Sequence, residues 1–72
     1  MDKLKPESGN VMKNTKLIEA RQRAGLTQVE IAQKAGVTPI CYQRYEAGSR
    51  IPKADIAKLI AKALNSTVEE LF

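Results

Sequence analysis

From residue 15 onward, apolar side chains recur at helical and not at strand spacing. Leu17, Ile18, Arg21 and Ala24 stand at i, i+1, i+4 and i+7, which places them on one face of a helix over about 15–24. Gly25 supplies a left-handed stop after it. Thr27-x-x-Glu30 then reads as a capping box, in which hydroxyl and carboxylate satisfy each other's backbone donors, and Leu26 is placed to staple onto Ile31 one turn in. These signals predict a second helix, Gln28 to Ala35, stopped at Gly36.

The same device recurs at once. Thr38 is a cap, Pro39 occupies the first helical position where its missing N–H costs nothing, and Val37 can staple onto Tyr42, so a third helix is expected over about 39–47 with Gly48 as its stop. Only Gly36, Val37 and Thr38 separate the second helix from the third, which is the spacing of a helix-turn-helix. After a loop from Ser49 to Pro52, Ile56, Leu59, Ile60, Ala63 and Leu64 mark the buried stripe of a fourth helix, poorly capped by Lys53 and ended by Asn65. Thr67-x-x-Glu70 reads as another capping box, opening a short last helix with Val68, Leu71 and Phe72. The expectation is an all-α domain of five short helices over residues 15–72. Residues 1–14, with Pro6, Gly9 and nearly balanced charge, show neither period and read as a flexible arm or a cloning remnant, with Met12 an alternative start.

A chain of 72 residues makes one domain at most and leaves little interior for a catalytic cleft. Trp is absent and there is one Phe, so the core must be aliphatic. Twelve basic residues against eight acidic give +4, and a pI near 9.5 makes nucleic acid the first partner to consider. Cys41 is the only cysteine and there is no His, which excludes an intrachain disulfide and leaves no metal set and no base to activate the thiol. No glycine-rich phosphate loop or acid–base pair is present either, so no enzyme and no cofactor is expected. There is no bilayer-spanning run and no signal-peptide core, and a reduced, cytoplasmic protein is expected.

The segment L-T-Q-V-E-I-A-Q-K-A-G-V-T, followed by Y-Q-R-Y-E-A-G-S-R-I-P, resembles the lambda-repressor-like, Cro/repressor-type helix-turn-helix family, also called the XRE family. The resemblance runs from Lys16 to Phe72 and rests on helix lengths, turn spacing and the positions of Gln28 and Glu46 together. It implies a sequence-specific DNA-binding domain, commonly a dimeric transcriptional regulator of phage, plasmid or bacterial origin, and here a repressor is expected. The other reading of the same fold is a protein-interaction module such as an antitoxin or a transcriptional bridging factor.

With Tyr42, Tyr45 and part of Cys41 needed inward, the third helix turns Thr38, Pro39, Ile40, Gln43, Arg44 and Ala47 outward. A major groove accommodates such a helix. Arg44 can grip guanine O6 and N7 bidentately, Gln43 can bond a base edge or a phosphate, and Ile40 can meet a thymine methyl. Pro39 and Ile40 depart from the polar residues that phage repressors often place there, which moves polar readout onto Gln43 and Arg44. By resemblance, Gln28 touches a phosphate and braces the recognition helix, and Arg50 and Lys53 approach phosphates from the following loop. Lys13, Lys16 and Arg23 are further phosphate candidates. Arg21 and Glu46 both point at the small core, and the resemblance implies a salt bridge between them. Ser66 leaves the last helix without a staple, so its packing is open to dependence on a partner. Leu71 and Phe72 are candidate contacts of a symmetric dimer, or else close the chain's own core. The expected DNA is double-stranded, operator-like and palindromic.

Overall fold

A computed structural model describes residues 13–72, so of the N-terminal arm only Lys13 and Asn14 fall within the described residues. Five helices follow in order: α1 Thr15–Arg23, α2 Gln28–Ala35, α3 Pro39–Ala47, α4 Ala54–Ala63 and α5 Val68–Leu71. Among the described residues there is no strand.

Local capping chemistry explains most of the boundaries. Asn14 belongs to the domain and not to the arm. Its side-chain oxygen accepts from Leu17 N–H at 3.1 Å as the cap of α1, its amide donates to the Leu71 carbonyl at 2.6 Å, and its backbone N–H donates to the Glu46 carbonyl at 2.9 Å. At α2 the box is complete, with Glu30 N–H donating to Thr27 Oγ1 at 3.1 Å and Thr27 N–H to the Glu30 carboxylate at 2.8 Å. Those contacts hold the Glu30 carboxyl below its ordinary pKa. Thr38 caps α3 through Cys41 N–H at 3.1 Å, with Pro39 in the first turn. Gly36, at φ +74°, turns the chain between α2 and α3; a Cβ there would meet nothing within 4 Å, so the demand for glycine is conformational and not steric.

Hydrophobic burial selects one face of each helix. Leu17, Ile31, Ala32, Ala35, Tyr42, Tyr45, Ile60, Ala61, Leu64 and Leu71 form the core, with α2 packed against both α3 and α4, and α5 closing against α1 and α4. Leu26 and Val37, the residues before two of the caps, pack against this cluster as expected of staples. Tyr42 and Tyr45 meet edge to face, with ring centroids 6.3 Å apart.

Four expectations need correction. Leu59 is 44% exposed, because the face toward α2 is the row Ala57, Ile60, Ala61 and Leu64, and Leu59 lies about 200° from Ala57 at 100° per residue. Ala24 is exposed, since α1 ends at Arg23 and Ala24 serves as its C-cap; Ala20 packs against the core instead. The box at α5 is only half formed: Glu70 N–H donates to Thr67 Oγ1 at 3.2 Å, but the Glu70 carboxylate accepts from the Ser66 hydroxyl at 2.9 Å. Leu71 is 2% exposed within this chain's own core, so α5 closes on that core and Leu71 is unavailable as a dimer contact.

The two boxes make a test. Thr27→Ala should lower stability by about 1 kcal/mol, the usual worth of a side-chain cap. Glu70→Ala, whose carboxylate caps nothing, should stay within about 0.5 kcal/mol of the parent. Urea unfolding of the three proteins measures both, and a Glu70→Ala loss as large as that of Thr27→Ala would show that the reciprocal bond at α5 forms after all.

Candidate nucleic-acid interface

One buried cluster sets the position of α3. Glu46, near the end of α3, accepts from Arg21 Nε of α1 at 2.6 Å through Oε2 and from Gln28 Nε2 of α2 at 2.8 Å through Oε1. Arg21 also donates to the Leu26 carbonyl at 2.8 Å, in the link between α1 and α2. The side chains are 14% and 6% exposed for Arg21 and Glu46, so the pair is nearly dry and three helices are joined through one carboxylate. Burial alone would raise the Glu46 pKa, yet the bonds from Arg21 and Gln28 outweigh it and hold the carboxyl below its ordinary value. The Glu46 bond in turn raises Arg21. Tyr42 is buried beside the pair, its hydroxyl outside hydrogen-bond geometry, and burial above all keeps it protonated.

With Tyr42, Tyr45 and Glu46 turned in, the opposite side of α3 is open. Thr38, Ile40, Gln43, Arg44 and Ala47 are exposed, Ile40 by 64%. Pro39 is half-buried and only partly outward. Cys41 is half-buried too, and its thiol donates to the Tyr45 hydroxyl one turn on, at 3.3 Å.

Two separate recesses gather several of the other site residues. Gln28 and Gln43 share an open recess with Lys13, Ile18, Glu46 and Ala47. Gln28 is thereby held by α3 while standing at the first position of α2, where free N–H groups and the helix dipole favour an anion. Arg50 lies elsewhere, in a recess with Lys16, Ile51, Glu69, Glu70 and Phe72. Lys53 is exposed at the start of α4 and, as expected, makes no side-chain cap bond; Lys16 and Arg23 are exposed on α1. Sequence reasoning missed two features. Asn14 carried a visible signal, an Asn immediately before a helical pattern. The exposure of Ile51 (81%) carried none, since it follows from how distant segments pack. That Gln28 braces α3 was implied by the resemblance, and the acceptor of that brace is Glu46.

The sequence and the fold match known proteins. A helix-turn-helix family model, HTH_3, covers residues 17–71. The chain belongs to the helix-turn-helix family. An uncharacterized HTH-type transcriptional regulator of Archaeoglobus fulgidus is 36% identical over 58 residues, 81% of this chain and 83% of that protein. The restriction-modification controller protein C.AhdI of Aeromonas hydrophila superposes with a TM-score of 0.74 at 29% identity, over 82% of this chain and 89% of that one. The clp gene regulator ClgR of Corynebacterium glutamicum shares the fold, with a TM-score of 0.74 at 22% identity over 81% of this chain. This helix-turn-helix chain spans 62% of ClgR's length. The family and these regulators make DNA-binding transcription regulation the role of the domain.

The buried pair yields a prediction. Glu46→Ala strands Arg21 and should cost about 3 kcal/mol, the lower end for a broken buried pair because Arg21 keeps some solvent and a backbone partner. The pH dependence has a definite sign. The folded pKa of Glu46 lies below the ordinary 4.5, so its contribution is complete above that value and is lost as pH falls through the lower, folded one. The melting-temperature gap between the parent and Glu46→Gln should therefore shrink on going from about pH 6 to about pH 3. A gap that stays constant would show that the carboxylate titrates as an exposed group.

Proposed function

We propose that this domain is a repressor that binds an operator-like, palindromic DNA duplex as a homodimer, with α3 lying in the major groove. The observation that carries the reading is the asymmetry of α3: one side is locked to α1 and α2 through Glu46, and the other presents Thr38, Ile40, Gln43 and Arg44 with no side of the protein covering them. Arg44 has the fork geometry for guanine O6 and N7, and Gln43 can bond an adjacent base edge or phosphate. We assign Gln28, oriented by Glu46 at the start of α2, and Lys53 at the start of α4 to phosphate contacts, which fix the register of the helix without reading sequence. No catalytic step or cofactor enters this function. A cytoplasmic setting suits it, and no helix among the described residues is long and apolar enough to cross a membrane.

Arg50 belongs with the dimer contact and not with the phosphates. It shares its recess with two carboxylates, Glu69 and Glu70, which would repel DNA, and with the exposed side chains of Ile51 and Phe72. A patch that carries an apolar centre and charges of both signs is self-complementary under a two-fold axis, where Arg50 and Lys16 of one copy can face Glu69 and Glu70 of the next. Because Gly48 lines the same recess directly after α3, such a dimer would place two recognition helices side by side for a palindrome.

Two measurements test this. Arg44→Ala should cost about 1 to 3 kcal/mol against the preferred base pair and relax the selected motif there, while Lys53→Ala should weaken all sequences alike. If selection with Arg44→Ala returned the parental motif at uniformly lower affinity, Arg44 would be a backbone contact; affinity indifferent to added salt would favour a protein-interaction module. In sedimentation at rising concentration the parent should self-associate and Ile51→Glu should remain monomeric. A parent that stays monomeric at every concentration and binds a single half-site would overturn the dimer.

A further inference from the structure

The helix assigned to the major groove begins with a turn that directs almost no hydrogen-bonding side chain outward. The Thr38 hydroxyl oxygen is engaged as the cap, accepting from Cys41 N–H at 3.1 Å, which leaves its O–H as the one side-chain donor in this turn directed to solvent. Pro39 and Ile40 carry no polar side-chain atom, and the Cys41 thiol is half-buried and committed to the Tyr45 hydroxyl. Polar reach resumes a turn later, at Gln43 and Arg44. What the first turn does present is hydrocarbon, with Ile40 64% exposed and no core contact to explain its presence.

In helix-turn-helix docking, the N-terminal residues of the recognition helix are those that contact base edges. Among major-groove edges, the methyl group on C5 of thymine is the one large apolar feature; cytosine offers only a C5–H, and the remaining groups are donors and acceptors. Covering a donor or acceptor with Ile40 would strip its water and return no bond, whereas covering a methyl removes apolar surface from water on both sides. A turn of this composition therefore discriminates by penalty against polar edges as much as by attraction to the methyl.

We propose that the first turn of α3 is a reader of pyrimidine C5-methyl groups: the preferred operator carries thymine beneath Ile40, and 5-methylcytosine is accepted there in preference to cytosine. Binding then responds to the methylation state of the DNA at that position. This rests on α3 lying in the major groove. It goes beyond that reading in extending the contact from the thymine methyl to 5-methylcytosine, which makes the domain sensitive to a covalent mark.

The test runs in vitro selection with the full chain on two random duplex libraries, one synthesised with thymine and one with uracil, which lacks the methyl. The thymine library should return a motif with a fixed thymine next to the guanine assigned to Arg44, and the uracil library should keep the guanine and lose preference at the neighbouring position. On a defined duplex from that motif, thymine to uracil should weaken binding about fourfold, the worth of one buried methyl. With a C·G pair at the same position, 5-methylcytosine should bind better than cytosine by a similar factor. Ile40→Ala, at an exposed position that leaves the fold intact, should abolish both differences, and Arg44→Ala should preserve them. Identical motifs from the two libraries, or a thymine–uracil difference that survives Ile40→Ala and so reports DNA shape, would overturn the proposal. Enrichment from neither library would remove the DNA-binding reading itself, and this proposal with it.

Discussion

The arrangement depends on the Glu46 carboxylate more than on any other group. It accepts one bond from α1 and one from α2 while belonging to α3, so α3 cannot rotate or slide without uncoupling both of its supports. A core of this size, built from aliphatic side chains and two tyrosines, offers little else of fixed direction. Apolar contacts are non-directional and would tolerate a small rotation of α3; a nearly dry, doubly bonded carboxylate would not. The domain therefore places a costly charge inside itself at the point where orientation matters for recognition.

The same cluster links folding to binding. Gln28 reaches Glu46 with its amide while its backbone begins α2, and Gln43 opens onto the same recess. The start of α2, proposed to meet phosphate, and the outer side of α3, proposed to meet bases, are thus held in one register by a single acceptor. Asn14 extends the tie, because its backbone N–H donates to the Glu46 carbonyl and its side chain holds the end of α5. The face opposite the core is left with two chemistries along α3, hydrocarbon in the first turn and polar donors in the next.

Much of this was legible in the amino-acid sequence, for a reason that is local. Thr27, Glu30, Thr38, Pro39, Gly36 and Gly48 act through backbone atoms a few residues away, so the helix ends and the tight turn follow from short-range chemistry. The inward turn of Tyr42 and Tyr45 follows from period alone. Where several apolar residues compete for one face, period is insufficient: Leu59 and Ala57 both fit a helix, and only the position of α2 decides that the smaller side chain goes inside. Likewise Thr67 and Glu70 have the spacing of a capping box, but Ser66 offers a competing hydroxyl and takes the carboxylate. The recess that gathers Arg50 with Glu69 and Glu70 joins segments about twenty residues apart, and nothing in the spacing of those residues announces it.

The central claim is that the outer side of α3 lies in a major groove, with its register held through Glu46. Interference by methylation of guanine N7, an atom that faces only the major groove, tests it most directly on a duplex obtained by selection. The account predicts that N7 methylation at the guanine assigned to Arg44 blocks binding by the parent, and that a ligand filling the minor groove leaves binding in place. Binding that is indifferent to N7 methylation across the site and is displaced by the minor-groove ligand would contradict it.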